Sequence, residues 1–271
     1  MAANPFDRAL RRRRHERARA GFAAADFLHA AMAGELRARV ADVARDFADV
    51  LDLGGPVPVW PGGVRCALAP EPDGVVADED RLPFADASFD LVVACGSLAT
   101  VNDLPGTLVQ VRRVLRPDGL FVGALIGGMS LVELRSALIG AEAAITGGAA
   151  ARLAPMVEAS AAAGLLQRAG LAMPVADVER ITVRYAGLGR LIDDLSAMGA
   201  RSVLASRAPL RRDVLAAAAR RFAEAADPDG RTAVTVEILH LAGWAPAPDQ
   251  PKPLTPGSAK ASLKDVLERK I

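Results

Sequence analysis

The sequence predicts an open, mainly parallel α/β sheet, on three observations. Residues 89–94, "FDLVVA", are a continuous apolar run of the kind buried on both faces of a parallel sheet. The run "NDLPGTLVQVRRVLRPDG" comes next. In it Leu104, Leu108, Val111 and Leu115 trace one helix face, Arg112, Arg113 and Arg116 load the last turn, and Pro117-Asp118-Gly119 stops the helix. Residues 120–127, "LFVGALIG", are then a second buried strand. Strand, helix and strand at this spacing make a βαβ unit, whose right-handed crossover builds such a sheet.

The other elements follow in order. Residues 5–48 read as helical, because Phe22, Phe27, Leu28, Met32, Leu36 and Val40 recur at spacings near three and four. Short strands are expected over 50–53, 64–68 and 74–77. Helices are expected over 131–144, 159–169, 187–197 and 210–226, and strands over 175–185 and 234–241. The run "APAPDQPKPLTPGS" is proline-rich and extended, and "SLKDVLERKI" reads as a short amphipathic helix capped by Ser262. The chain divides into an N-terminal helical segment 1–48, an α/β domain 49–245 with a helical insertion at 187–226, and a tail 246–271.

Composition narrows the function. With 33 Lys plus Arg against 32 Asp plus Glu, the net charge of +1 lacks the basic excess of a general nucleic-acid binder. Two cysteines, Cys66 and Cys95, make neither a disulfide framework nor a four-cysteine zinc site, and the three histidines are scattered, so no metal site is expected. No apolar run is long enough to cross a bilayer and no apolar signal region opens the chain, which points to a cytoplasmic location. The Arg-rich "FDRALRRRRHERARAGF" reads first as a solvated helix with its arginines outward. A mitochondrial transit peptide is a second reading, opposed by Asp7, Glu16 and the lack of serine. Contact with anionic lipid or an acidic partner is a third.

The centre of the chain carries a resemblance. "DEDRLPFADASFDLVVACGSL" followed by "LVQVRRVLRPDGLFVGAL" resembles the central third of class I S-adenosylmethionine-dependent methyltransferases, a Rossmann-like fold. The resemblance implies that Asp78 and Glu79, closing the third strand, accept from the adenine amino group. It also implies that Gly96, past the fourth strand, lies at the ligand crevice, and that Asp52, Gly54 and Gly55 form the turn at the methionine end. Over nearly the whole chain, "FDRALRRRRHERA", "GLLQRAGLAMPVADVERITVRY", "LIDDLSAMGA", "AEAADPDGR" and "QPKPLTPGSAKASL" are together similar to the methyltransferase-like assembly factors of respiratory complex I. The mitochondrial member of that family is reported as a protein arginine hydroxylase. The resemblance implies a complex I subunit as protein partner; the charge balance adds no nucleic acid, and the Arg-rich helix extends the expected cytoplasmic location to peripheral contact with the inner membrane. A related group is the malonyl-acyl-carrier-protein methyltransferases.

The sequence departs from the superfamily pattern in three places. Seven of the ten residues from Gly54 to Gly63 are Gly or Pro, so no helix can follow the first strand. The second strand ends in Ala67, Leu68 and Ala69 where an acid would hold the ribose, with Glu71 or Asp73 as substitutes in a turn. Residues 50–77 are also short for the two βαβ units expected there, since one takes about 30 residues; a looped crossover without a helix meets that length. In the third place, Ala99 and Thr100 stand where the family carries an aromatic, which widens or empties a pocket wall.

Structural readings stand beside these functional ones. Asp78 and Glu79 can cap the turn before Leu82, and Gly54 and Gly55 can be loop glycines with positive φ. Cys95 reads as a buried spectator, Tyr185 and Trp244 as core residues, His240 as structural and the 201–212 region as solvated. Three functions remain open: a complex I assembly factor acting on a protein partner by arginine modification, a working S-adenosylmethionine-dependent methyltransferase with a protein or acyl-carrier substrate, and a non-catalytic scaffold that has lost the cofactor.

Overall fold

The structure, a computed structural model, describes residues 4–70, 74–251 and 258. Seven strands form one sheet: β1 Val50–Leu53, β2 Val64–Ala67, β3 Val75–Val76, β4 Phe89–Cys95, β5 Leu115–Ile126, β6 Ala172–Tyr185 and β7 Thr232–Trp244, in the order β3-β2-β1-β4-β5-β7-β6. Strands β1 to β5 pair in parallel, and β7 is antiparallel to both of its neighbours. The expected open, mainly parallel sheet is therefore present. The helices are α1 Arg8–Arg19, α2 Phe27–Ala41, α3 Leu104–Val114, α4 Val132–Thr146, α5 Ala159–Arg168, α6 Leu188–Ala197 and α7 Arg212–Glu224.

Alternation along the central strands feeds two cores. Leu51, Leu53, Val92, Ala94, Phe121 and Leu125 face one side, where Leu108 and Val111 of α3 and Leu166 of α5 cover them. Val50, Leu91, Val93, Cys95, Leu120 and Val122 face the other, against Met32, Leu36 and Val40 of α2. A third, smaller core joins α4, α6 and α7 around Phe222, Leu191 and Val214, beside Tyr185 and Val234 at the far end of the β6–β7 hairpin. Helices α6 and α7 lie between β6 and β7, where the insertion was expected.

The first crossover has no helix. Residues 54–63 run from β1 to β2 as bends and turns, and the two strands still pair in parallel. The side chains of Val59 and Trp60 fold back onto the α2 side of the sheet and take the place of the missing helix.

Two expectations need correction. Residues 5–48 are not one helix: α1 ends before Gly21, a short 3₁₀ turn spans Phe22–Ala24, and α2 ends at Ala41. Glycine disfavours helix by about 1 kcal/mol, and the break lets α1 and α2 cover different parts of the sheet. Strand β5 begins at Leu115 rather than at residue 120, because Pro117 disfavours a helical residue before it and ends α3 early. The proposed helix at Ser262 and the substitute acids Glu71 and Asp73 lie outside the described residues. Among the described residues, no helix is long and apolar enough to cross a membrane.

Candidate functional site

The six residues assigned to the cofactor all lie at the carboxyl ends of β1, β3 and β4 or in the turns that follow. The side chains of Asp52, Asp78 and Glu79 and the carbonyls of Gly54 and Gly55 are already engaged within the protein. Asp52, 1% exposed, stands beside Arg65 in the register of β1 and β2, and the two form an ion pair of 2.7 Å. Its other carboxylate oxygen accepts from the backbone N–H groups of Val59 and Trp60. Asp52 is thus the clamp that holds the helix-less crossover down. Burial pushes its carboxyl above the usual range, although Arg65 and the loop amides pull it down.

The glycine turn is spent on packing. Arg65 donates to the carbonyl oxygens of Gly54 and Gly55. Both glycines have positive φ, at 68° and 80°. A Cβ on Gly54 would lie 2.3 Å from the Ser97 Cβ, and one on Gly55 would lie 2.8 Å from the Cys95 carbonyl oxygen. The turn therefore rests directly on the end of β4, where a methionine moiety would need room. Gly55→Ala is expected to destabilise the protein by at least the about 1–2 kcal/mol that a left-handed non-glycine residue costs. Urea unfolding measures this, and a neutral effect would show that the turn is not held against β4.

Helix α1 occupies the adenine side. Asp7 caps it through the N–H of Leu10, and Phe6 exchanges hydrogen bonds of 2.9 and 3.3 Å with the Asn102 side chain. This lays Arg8 and Arg11, three residues apart on one helix face, across the ends of β3 and β4. Arg8 binds both oxygens of Asp78, at 3.0 and 2.7 Å, and also Glu79. Arg11 binds both oxygens of Glu79, at 2.8 and 3.0 Å, and the Ser97 carbonyl at 3.0 Å. Arg11 and Glu79 are 2% and 1% exposed. The reading of a solvated helix with its arginines outward fails for these two residues, whereas Arg12 and Arg13 are exposed. Asp78 also accepts from the Asp80 N–H at 3.1 Å, the turn-capping role weighed above.

Among the described residues, this side of the sheet leaves little space for S-adenosylmethionine. The space enclosed by Gly54, Gly55, Pro56, Ala67, Leu68, Ala69, Glu79 and the arginines of α1 is about 10 Å³, room for about one water molecule. The adenine-side acids are neutralised by Arg8 and Arg11, and no carboxylate ends β2.

Gly96 and the aromatic-free positions Ala99 and Thr100 line a different space. It is an apolar cavity of about 220 Å³ over the ends of β4 and β5, bounded by Phe22, Leu28, His29 and Met32 on one side and by Leu195 and Met198 of the insertion on the other. Two buried nitrogens near it have no hydrogen-bond partner among the described residues, Nε of Arg11 and Nε2 of His29. His29 is 8% exposed and stacks edge-on against Phe22, with centroids 5.5 Å apart. Burial, then Arg65, lowers its pKa to about 4. Burial, then Arg11, lowers that of His15 to about 3.

The sign of this linkage is definite. Below the usual 6.5 the unfolded chain binds protons that the folded imidazoles refuse, so the stabilising contribution is complete above 6.5 and is lost as pH falls toward 4 and 3. Each histidine contributes a slope of at most about 1.4 kcal/mol per pH unit. Urea titrations at stepped pH should show this slope, and a His15→Gln/His29→Gln variant should lose it.

The remaining candidates are structural. Cys66 and Cys95 are buried and unpaired, with burial pushing both thiols up to about 12. His240 contacts Glu179 at 3.0 Å across the β6–β7 hairpin. Among the described residues, no three His, Cys, Asp or Glu side chains are grouped to hold a metal ion. Sequence reasoning missed Arg8, Arg11, Arg65, His15 and His29. The available signal was the run of Arg8, Arg11 and His15 at helical spacings of three and four, set against the acidic run Asp78-Glu79-Asp80, which Arg81 alone does not balance.

Comparison with known proteins identifies the family. A family model described as a methyltransferase domain matches residues 59–123, beginning after the glycine turn. Two crystal structures, BH2331 of Bacillus halodurans C-125 and YcgJ of Bacillus subtilis, share the fold. Each has a TM-score of 0.52 at 13% identity, covering 79% and 78% of this chain and 99% and 98% of theirs. The malonyl-[acyl-carrier protein] O-methyltransferase of Laribacter hongkongensis is 33% identical over 76% of this chain and 66% of that protein. The protein of Danio rerio named arginine-hydroxylase NDUFAF5, mitochondrial, is 34% identical over 97% of this chain and 89% of its own length. That of Rattus norvegicus is 35% identical over 98% and 84%. With a methyltransferase-type sheet, a crossover that has lost its helix and this near-complete correspondence, the chain belongs to the arginine-hydroxylase NDUFAF5 family of methyltransferase-like proteins.

Proposed function

We propose that this protein serves respiratory complex I assembly by acting on a protein partner, with arginine modification as its chemistry and without methyl transfer from S-adenosylmethionine. The observation that carries the proposal is the identity of about one residue in three with proteins named arginine hydroxylases, sustained over nearly the full chain. The closed crevice at Gly54, Gly55 and Glu79 supports the exclusion of methyl transfer. Titration calorimetry with S-adenosylhomocysteine at millimolar concentration is expected to give no heat and no thermal shift. Saturable binding would restore the methyltransferase reading.

A non-catalytic scaffold is the second reading, and one observation favours it. Among the described residues, neither large cavity is lined by a carboxylate, so an arginine side chain entering either one finds no counter-ion there. Deleting the gene in the source organism separates the two readings. If complex I is lost together with an oxygen-atom mass on a subunit arginine, and this chain restores both, the catalytic reading stands. Loss of the complex with arginine masses unchanged selects the scaffold. Normal complex I overturns both.

A further inference from the structure

A second cavity, of about 330 Å³, lies between the helical insertion and α4 and adjoins the first. The two share Leu131, Ala154, Met156 and Leu195, and Arg201 lines both. Its walls are aliphatic, with Leu134 and Leu138 of α4, Leu188 and Ile192 of α6 and Leu215 of α7. The polar groups on it are almost all cationic, and among the described residues no Asp or Glu lines it. Arg152 is engaged by Glu142 and by the carbonyls of Ala208 and Pro209. Arg14 has only the Ser202 carbonyl, Arg207 reaches Asp7 at no less than 3.9 Å, and no carboxylate lies within ion-pair distance of Arg201 among the described residues. Burial, then the nearby charges of Arg201, Arg207 and Arg17, holds Arg14 below the usual arginine value. These guanidinium groups repel one another beside an aliphatic chamber.

We propose that this cavity binds a single-chain anionic amphiphile, its acyl chain against Leu134, Leu138 and Ile192 and its head group on Arg14, Arg201 and Arg207. Apolar area inside the chamber binds the chain through the hydrophobic effect. The arginines supply charge-assisted hydrogen bonds to the head and are relieved of mutual repulsion. A carboxylate and a phosphate monoester meet the same requirement. The site lies away from the Gly54–Glu79 crevice, and the proposal stands whether or not the protein modifies arginine.

The test uses the full chain and direct titration, with myristate and myristoyl lysophosphatidate as probes and tetradecyltrimethylammonium as the cationic control of equal chain length. Saturable binding of either anionic probe, with no binding of the cation, is expected; which probe binds more tightly identifies the head group. Arg201→Gln/Arg207→Gln alters only exposed side chains and is expected to weaken binding about tenfold or more, the value of one lost charge-assisted contact. Ala200→Glu, also on an exposed residue, places a carboxylate beside the same arginines and is expected to abolish binding. Equal binding of the cationic probe, unchanged affinity in both variants, or no binding below the micellar threshold would overturn the proposal. So would binding only to phosphatidylglycerol vesicles or only to an acidic amphipathic peptide, which would assign the arginines to a membrane or a protein surface.

Discussion

Glu79→Gln is expected to lower the free energy of unfolding by about 3–5 kcal/mol, the range for breaking a buried ion pair by removing one partner. Arg11 is the reason. Its guanidinium is buried, its Nε is unpartnered, and Glu79 supplies both of its carboxylate contacts. Arg8 retains Asp78 after the change, so the loss falls on Arg11. Urea unfolding with an unchanged m-value would report the loss. A companion variant, Arg11→Met/Glu79→Met, should recover most of the stability, because well-packed apolar residues often replace a buried pair at little cost. A loss below about 1 kcal/mol, typical of an exposed pair, would mean that α1 is not docked in solution and that the adenine side of the crevice stands open. The same titration therefore tests the stability of the fold and the closure of the cofactor site.

Asp52→Ala is expected to have an effect at least as large, for a different reason. The substitution leaves Arg65 in the buried turn without this carboxylate and removes the acceptor shared by the amides of Val59 and Trp60. A buried pair broken on one side accounts for about 3–5 kcal/mol, and each amide left unsatisfied adds about 1–3 kcal/mol. Local opening should appear before global unfolding, because residues 54–63 have no helix of their own to hold them. Limited proteolysis should cut that segment in the variant and spare it in the wild type. If the cleavage patterns are the same, Asp52 is not the clamp, and the role in cofactor binding implied by the resemblance regains support.

Both predictions give a structural purpose to positions that the resemblance assigns to the ligand. In a nucleotide-binding sheet, glycines after β1 and acids after β2 and β3 leave space and charge for the ligand. Here Arg65 fills the first and Arg8 and Arg11 neutralise the last, while β2 itself ends on Ala67. The sheet is preserved because its strands pair through the backbone, and an ordered loop can make a parallel crossover as well as a helix can.

The sequence by itself determined the sheet, most of the helices and the loss of the first crossover helix. These depend on local chemistry: period-two and helical apolar patterns, and proline and glycine in "GGPVPVWPGG". Only the tertiary structure decided which way the arginines of α1 point, since charge density along a helix reads the same whether the partner is water or an acid 68 residues away. It also decided that Asp52 clamps a loop, because Arg65 becomes its neighbour only through the register of two parallel strands. The arginine-rimmed cavity of the insertion was invisible for the same reason. Its walls come from α4, α6, α7 and the segments around Arg152 and Arg201, and a cavity is a property of surfaces brought together in space.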